Sequence, residues 1–163
     1  MKLKISFPNQ LKMLTHLIFI SIVYFLLMFF GWYTFEFKLK IFLLIPYVFM
    51  FFIPVVIIHL NYLNENQGII FKINPNMIVK QKGTEIKEYT NEEIKKITFY
   101  MNGSKDTGNG TLAFSKYYYA KIELQNGSHF IITSLYSSKI DKILEENFKD
   151  VKITVEKVFY PMI

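Results

Sequence analysis

The chain has 163 residues, 52% of them hydrophobic and 18% aromatic, with 19 Lys, no Arg and a net charge of +6. There is no cysteine, which excludes disulfides, Cys-ligated zinc and thiol catalysis and suits a domain facing a reducing compartment. The charge is uneven: residues 1–60 carry Lys2, Lys4, Lys12, Lys38 and Lys40 against Glu36, a balance of +4, and the remainder carries only +2. A near-neutral second part without the bidentate guanidinium fork argues against nucleic acid as a partner.

The first twelve residues read as a basic arm, with Phe7-Pro8-Asn9 as a turn or cap before a helix. Two uncharged stretches follow, Met13–Phe35 and Ile41–Leu63. At ~1.5 Å per residue each reaches roughly 35 Å as helix, enough to cross the ~30 Å hydrocarbon core of a bilayer with some tilt. Only Glu36–Lys40 separates them, which predicts a tight antiparallel membrane hairpin over 13–63. The first run is too long for the apolar part of a cleavable signal and lacks a small-residue cleavage site, so it is expected to stay as an anchor. Trp32, Tyr33 and Phe35 form an aromatic cluster for the far interface. Pro54 removes the hydrogen bond to the Met50 carbonyl, and Pro46 lies two turns earlier; an ordinary kink is the expectation, a gating hinge the sharper alternative. Lysines in the arm and after Leu63 outnumber those in the connecting loop, which puts both termini in the cytoplasm of an integral membrane protein. His16 and His59 then fall at the same interface. A proton-linked site could be built from them, but two interfacial side chains with their polar tips among headgroups suffice.

From Gly68 the period changes to two, and residues 64–163 read as a cytoplasmic domain. Strands are expected at Ile69–Asn74, Met77–Gln81, Glu85–Tyr89 and Ile94–Met101, with turns at Asn74-Pro75-Asn76 and Lys82-Gly83-Thr84. Asn102–Thr111 is a polar, Gly-rich loop, expected to be mobile. Its Gly108-Asn109-Gly110 lacks the following Lys-Ser/Thr helix of a phosphate cradle. Asn126-Gly127 predicts a type I′ hairpin turn. Tyr118, Ala120, Ile122 and Leu124 should face the core; Tyr117, Tyr119, Lys121 and Glu123 take the other side. Ser137 or Ser138 should cap an amphipathic helix through Ile140, Ile143, Leu144 and Phe148. Val151, Ile153 and Val155 alternate again, as a last strand or as a segment lying along the membrane.

These parts resemble the pleckstrin-homology-like fold. Its traces are the strand pair Ile69–Gln81, the segment Tyr89-Thr90-Asn91-Glu92-Glu93-Ile94-Lys95-Lys96-Ile97, the hairpin Tyr118–Thr133 and the helix Ser138–Phe148. The order is similar to that of small bacterial membrane proteins with two spanning helices ahead of such a domain. The resemblance implies an α+β domain, an antiparallel β-sandwich or barrel closed by one amphipathic helix, with binding and not catalysis as its role. It also implies a basic first hairpin for phosphorylated headgroups; Lys72, Lys80 and Lys82 match it loosely, with Lys where Arg is usual, so generic attraction to an anionic leaflet is expected over headgroup selectivity.

No catalytic constellation, cofactor motif or metal-ligand spacing emerges. Glu92 and Glu93 diverge at a strand start, and His129 has no acidic or nucleophilic neighbour in sequence. Tyr117-Tyr118-Tyr119 is a candidate aromatic platform for a peptide or base. Two functional classes remain. One is a membrane-anchored, non-catalytic module recognising a protein partner or the lipid surface; the other is an accessory subunit of a transporter or membrane enzyme, its helices completing a larger bundle. Oligomeric state is open.

Overall fold

The computed structural model describes residues 1–31, 33–103 and 113–163. Trp32 and most of the polar loop, including Gly108-Asn109-Gly110, lie outside the described residues.

Strand β1 (Lys2–Leu3) precedes helix α1 (Phe7–Phe30), whose first turn carries Pro8 and is capped by Ser6, the Asn9 N–H donating to its Oγ at 3.4 Å. Gly31 ends α1, its N–H donating to the Leu27 carbonyl at 2.9 Å, and Tyr33 and Thr34 are in a turn before the return leg. The return leg runs as α2 (Phe37–Pro46), a π-helical turn over Tyr47–Phe52, and α3 (Ile53–Asn66). The expected proline disturbance takes this form. Pro54 has no N–H, and the Ile53 N–H donates to the Val48 carbonyl five residues back, so a widened turn absorbs the lost bond. Ser21 Oγ and the Tyr47 hydroxyl share a 2.8 Å hydrogen bond, and the rings of Tyr24 and Tyr47 stack 4.3 Å apart, pairing the two legs.

Among the described residues, the remaining elements are β2 (Ile69–Asn74), β3 (Met77–Lys82), β4 (Glu85–Thr90), β5 (Ile94–Met101), β6 (Tyr118–Leu124), β7 (His129–Thr133), α4 (Ile140–Asn147) and β8 (Lys152–Lys157). They make two four-stranded sheets, ordered β1-β2-β3-β4 and β7-β6-β5-β8. The expected antiparallel sandwich or barrel closed by a helix is therefore corrected. Each sheet is open, with its end strands unpaired to one another, and the second contains a parallel pair, Ile97 opposite Ile153 and Phe99 opposite Val155. The reason is the route of the chain. α4 intervenes between β7 and β8, returning β8 to the far edge of the second sheet alongside β5 and not to the first sheet.

The turns follow their residues. Asn74 pairs with Met77 around Pro75 and a left-handed Asn76 (φ 59°), and Lys82 pairs with Glu85 around Gly83 (φ 60°). At Asn126-Gly127 the type I′ expectation is not met, because only Gly127 has positive φ (83°). The Gly127 N–H donates to Leu124 O and the Leu124 N–H to Ser128 O, a type I turn closed by a left-handed glycine. The Asn126 side chain accepts from the Ser128 N–H at 2.9 Å and from its hydroxyl at 2.6 Å, which holds Asn126 in the ordinary region.

Two cores result. Leu3, Phe71, Ile73 and Ile78 of the first sheet meet Ile97, Phe99, Ala120, Ile122 and Ile132 of the second, with Ile140 and Leu144 of α4 and its C-cap Phe148 completing the cluster. A second cluster lies on the opposite face of the second sheet: Met13 and Leu17 of α1 and Val55, Ile58 and Tyr62 of α3 pack on Phe114, Tyr117, Tyr119, Ile131 and Leu135. The base of the helical hairpin is thereby part of the folded domain. Leu124 and Ile122 are buried as expected, whereas Lys121 and Glu123 are half-exposed and paired at 3.4 Å.

Candidate functional site

The junction between the hairpin and the second sheet is built around polar side chains that an apolar pattern does not single out. Asn66, the last residue of α3, is almost fully buried. Its Nδ2 donates to Ile131 O at 3.1 Å, and its Oδ1 accepts from the Thr133 N–H at 3.1 Å and the Thr133 hydroxyl at 2.7 Å. The Tyr136 hydroxyl reaches the carbonyls of Ile69 (3.0 Å) and Asn66 (3.3 Å). Two turns earlier, His59 bridges both legs and the chain entering β6: Nδ1 meets the Tyr117 hydroxyl at 2.9 Å and Nε2 meets Gln10 Oε1 at 3.3 Å. A neutral imidazole satisfies both contacts, Tyr117 donating to Nδ1 and Nε2–H donating to the amide oxygen. Burial pushes the Tyr117 phenol well above its usual range, so it stays a donor. His59 is thus a buried strut, not the headgroup-facing side chain expected from sequence.

The three tyrosines fare similarly. Tyr117, Tyr118 and Tyr119 are all buried, Tyr118 against the first core and the other two against the hairpin. Tyr118 donates to Asp141 Oδ1 at 2.8 Å, fastening α4, and burial holds the Tyr119 phenol up at about 12. No aromatic platform is available to a peptide or base, because the helices cover the face that alternation left to solvent.

The sequence-predicted lysines separate. Lys80 lies opposite Phe71 and Lys82 opposite Ile69, on the face of the first sheet that carries the core. Lys72 lies opposite Val79 and Lys2, on the other face. Lys80 stands over the Phe130 ring, its Nζ 5.5 Å from the centroid. Burial lowers its pKa first, with Lys82 and Lys87 adding to the shift and Glu65 and Glu85 opposing it. Lys87 is engaged by Glu85 at 2.8 Å. The recess lined by Lys80, Lys82, Glu85, Lys87 and Tyr89 measures about 90 Å³, below the ~300 Å³ at which small-molecule pockets begin.

A larger recess, about 570 Å³, opens where α3 meets the first sheet; Lys4, Ile5, Leu60, Leu63, Asn64, Gln67 and Ile70 are among its lining. It mixes one ammonium, side-chain amides and an apolar floor. Sequence reasoning had no route to it, since Lys4 and Ile5 come from one end of the hairpin and Leu60–Ile70 from the other. Among the described residues, no group of three or more His, Asp or Glu side chains is placed to hold a metal ion.

The geometry defines an α+β domain with an apolar hairpin inserted after its first strand. The chain matches the PH domain family over residues 2–140 and belongs to it. The match begins at β1 and runs across both helices, and the family is one of non-catalytic binding modules. Among solved structures the chain is similar to a chain of the Spt16D Pob3N heterodimer, at 10% identity and a TM-score of 0.35, over 55% of this chain. This chain spans about half (47%) of that one, and the likeness carries no functional argument. No curated protein matches.

Proposed function

We propose that the protein is a membrane-anchored, non-catalytic binding module, its hairpin crossing the bilayer with both ends on the cytoplasmic side. The PH domain is then held against that leaflet. The observation that carries this reading is the exposure of the hairpin beyond its docked base. Phe19, Phe25, Phe29, Phe30, Phe42 and Phe49 are each more than 60% exposed, on helices of 24 and 30 residues. Soluble proteins rarely leave so continuous an apolar surface in water. From Asn61 back to Lys40 the return leg covers roughly 31 Å at ~1.5 Å per residue, close to the hydrocarbon thickness of about 30 Å.

In this pose the domain recognises the anionic lipid surface. Lys82 pairs with Ile69, directly after the helical leg, and Lys80 lies within the field of Glu65 near the end of α3. Each lysine contributes about 1 kcal/mol at an anionic surface, and salt screens it. Two such residues orient a domain already anchored without selecting a headgroup.

Cysteine labelling tests the topology, since the chain has none of its own. Tyr33 at the hairpin tip is almost fully exposed and Glu88 is exposed on β4. On intact cells, an impermeant thiol reagent should label Tyr33→Cys and spare Glu88→Cys. Labelling of Glu88→Cys alone would invert the orientation, and labelling of both would exclude a spanning hairpin.

A further inference from the structure

Residues 158–163, Val-Phe-Tyr-Pro-Met-Ile, combine a tightly held backbone with exposed apolar side chains. Four carbonyls are each bound by a side-chain donor from elsewhere in the fold. Asn102 Nδ2 holds Phe159 O at 2.8 Å, the Tyr62 hydroxyl holds Pro161 O at 2.6 Å, the Tyr119 hydroxyl holds Met162 O at 3.3 Å, and Asn61 Nδ2 holds Ile163 O at 3.3 Å. The Ile163 N–H returns a bond to Asn61 Oδ1 at 3.0 Å. Yet Phe159 is 63% exposed, Tyr160 40% and Met162 48%. The rings of Phe159 and Tyr160 meet edge to face at 4.6 Å, braced from beneath by Phe114. A segment fixed this firmly with its apolar side outward presents those side chains to something other than water.

Its attachment points say what. Asn61 and Tyr62 lie at the end of the uncharged run of the return leg, which closes at Leu63 before Asn64 and Glu65. Gln10 bonds to His59, so Lys12 of the outgoing leg lies at a similar height. The segment is tethered where both legs change from apolar to polar, alongside the exposed Leu60 and Ile57. Phe, Tyr and Met are the side chains suited to the boundary between headgroups and acyl chains, where an apolar body and a polar edge are both accommodated.

We infer that residues 159–162 form an interfacial wedge, a second membrane contact that seats the PH domain in the headgroup–acyl boundary beside its own hairpin. The occupant of this surface is the lipid bilayer. The inference rests on the reading of the hairpin as membrane-spanning, and the wedge fixes the tilt of the domain about that anchor.

The test uses the full chain in vesicles of phosphatidylcholine and phosphatidylglycerol containing phosphatidylcholine brominated either near the carbonyl end or near the methyl end of its acyl chains. With the single tryptophan removed (Trp32→Phe), reporters are introduced one at a time: Phe159→Trp, Met162→Trp as a second reporter of the wedge, Phe25→Trp inside the hairpin, and Ile86→Trp on the exposed β4. The wedge reporters should emit to the blue of Ile86→Trp and lose most intensity to bromine near the carbonyl end. Phe25→Trp should be quenched by bromine near the methyl end, and Ile86→Trp by neither. If Phe25→Trp is quenched while both wedge reporters behave like Ile86→Trp, the wedge is refuted and the hairpin stands; the segment then faces water or a protein. If no reporter is quenched, the spanning hairpin fails and the wedge fails with it.

Discussion

Replacing Asn66 by alanine should detach the helical hairpin from the second sheet. The side chain makes three hydrogen bonds in a nearly water-free site, to Ile131 O and to the N–H and hydroxyl of Thr133. Alanine leaves a carbonyl and an N–H buried without partners, while the Thr133 hydroxyl can rotate. Each unsatisfied buried group costs about 1–3 kcal/mol, so the substitution should destabilise by roughly 2–5 kcal/mol. At ~2–4 °C per kcal/mol for a chain of this size, the melting temperature should fall by about 4–20 °C. The measurement is a thermal melt of the full chain in mild detergent, followed by the near-ultraviolet signal of the buried tyrosines. Amide exchange should locate the loss at Thr133. Thr133→Val removes only the hydroxyl, so a double-mutant cycle should show a coupling of about 0.5–3 kcal/mol. Additive effects, or a shift for Asn66→Ala within about 0.5 kcal/mol, would mean that the junction is held by apolar packing alone.

Other consequences are simpler. Leu124→Asp places an unpaired carboxylate in the first core and should cost about 3–5 kcal/mol, whereas Glu123→Lys, beside Lys121 at a half-exposed position, should stay within about 0.5 kcal/mol in the same melt. Gly127→Ala should cost roughly 1–2 kcal/mol from backbone strain alone, because an added Cβ there meets no atom within 4 Å. With a donor dye on Glu88→Cys and acceptor lipids in the vesicle, energy transfer should rise when anionic lipid is added and fall with salt. Lys80→Gln with Lys82→Gln should abolish that response, and a response that persists would place the lipid contact elsewhere.

How much of this was legible in the sequence depends on how many faces of an element are covered. β2 alternates cleanly, with Phe71 and Ile73 buried and Lys72 exposed, although the neighbouring β3 buries both Ile78 and Val79. The same rule failed for β6, where Tyr118, Tyr119 and Ala120 are all buried. A strand covered on both sides reads as a continuous apolar run, and Tyr117-Tyr118-Tyr119-Ala120 is one, but its polar hydroxyls and the following Lys121 disguised it. The resemblance groups Lys72, Lys80 and Lys82 on one basic hairpin, while the β2–β3 register sets Lys72 on the opposite face from Lys80 and Lys82. The polar junction was illegible for another reason. Asn66, His59, Gln10 and Thr133 are separated by up to 123 residues of sequence and carry no spacing signature; only docking of the hairpin brings them together.

That docking changes what the domain can do. Joined to its helices by a flexible linker, a PH domain would sample many orientations, and contacts worth about 1 kcal/mol per lysine would scarcely bias them. Here the second sheet uses one face for the domain core and the other for the hairpin base, and Asn66 and His59 lock the join. Rotational freedom is already lost on folding, so weak lipid contacts need not offset it again. On the proposed membrane-spanning reading, a domain fixed in this way gains little from a selective headgroup pocket, because the hairpin would already set its address. On the proposed reading, any partner of the domain would meet the exposed side of β4 in a single presentation relative to the bilayer.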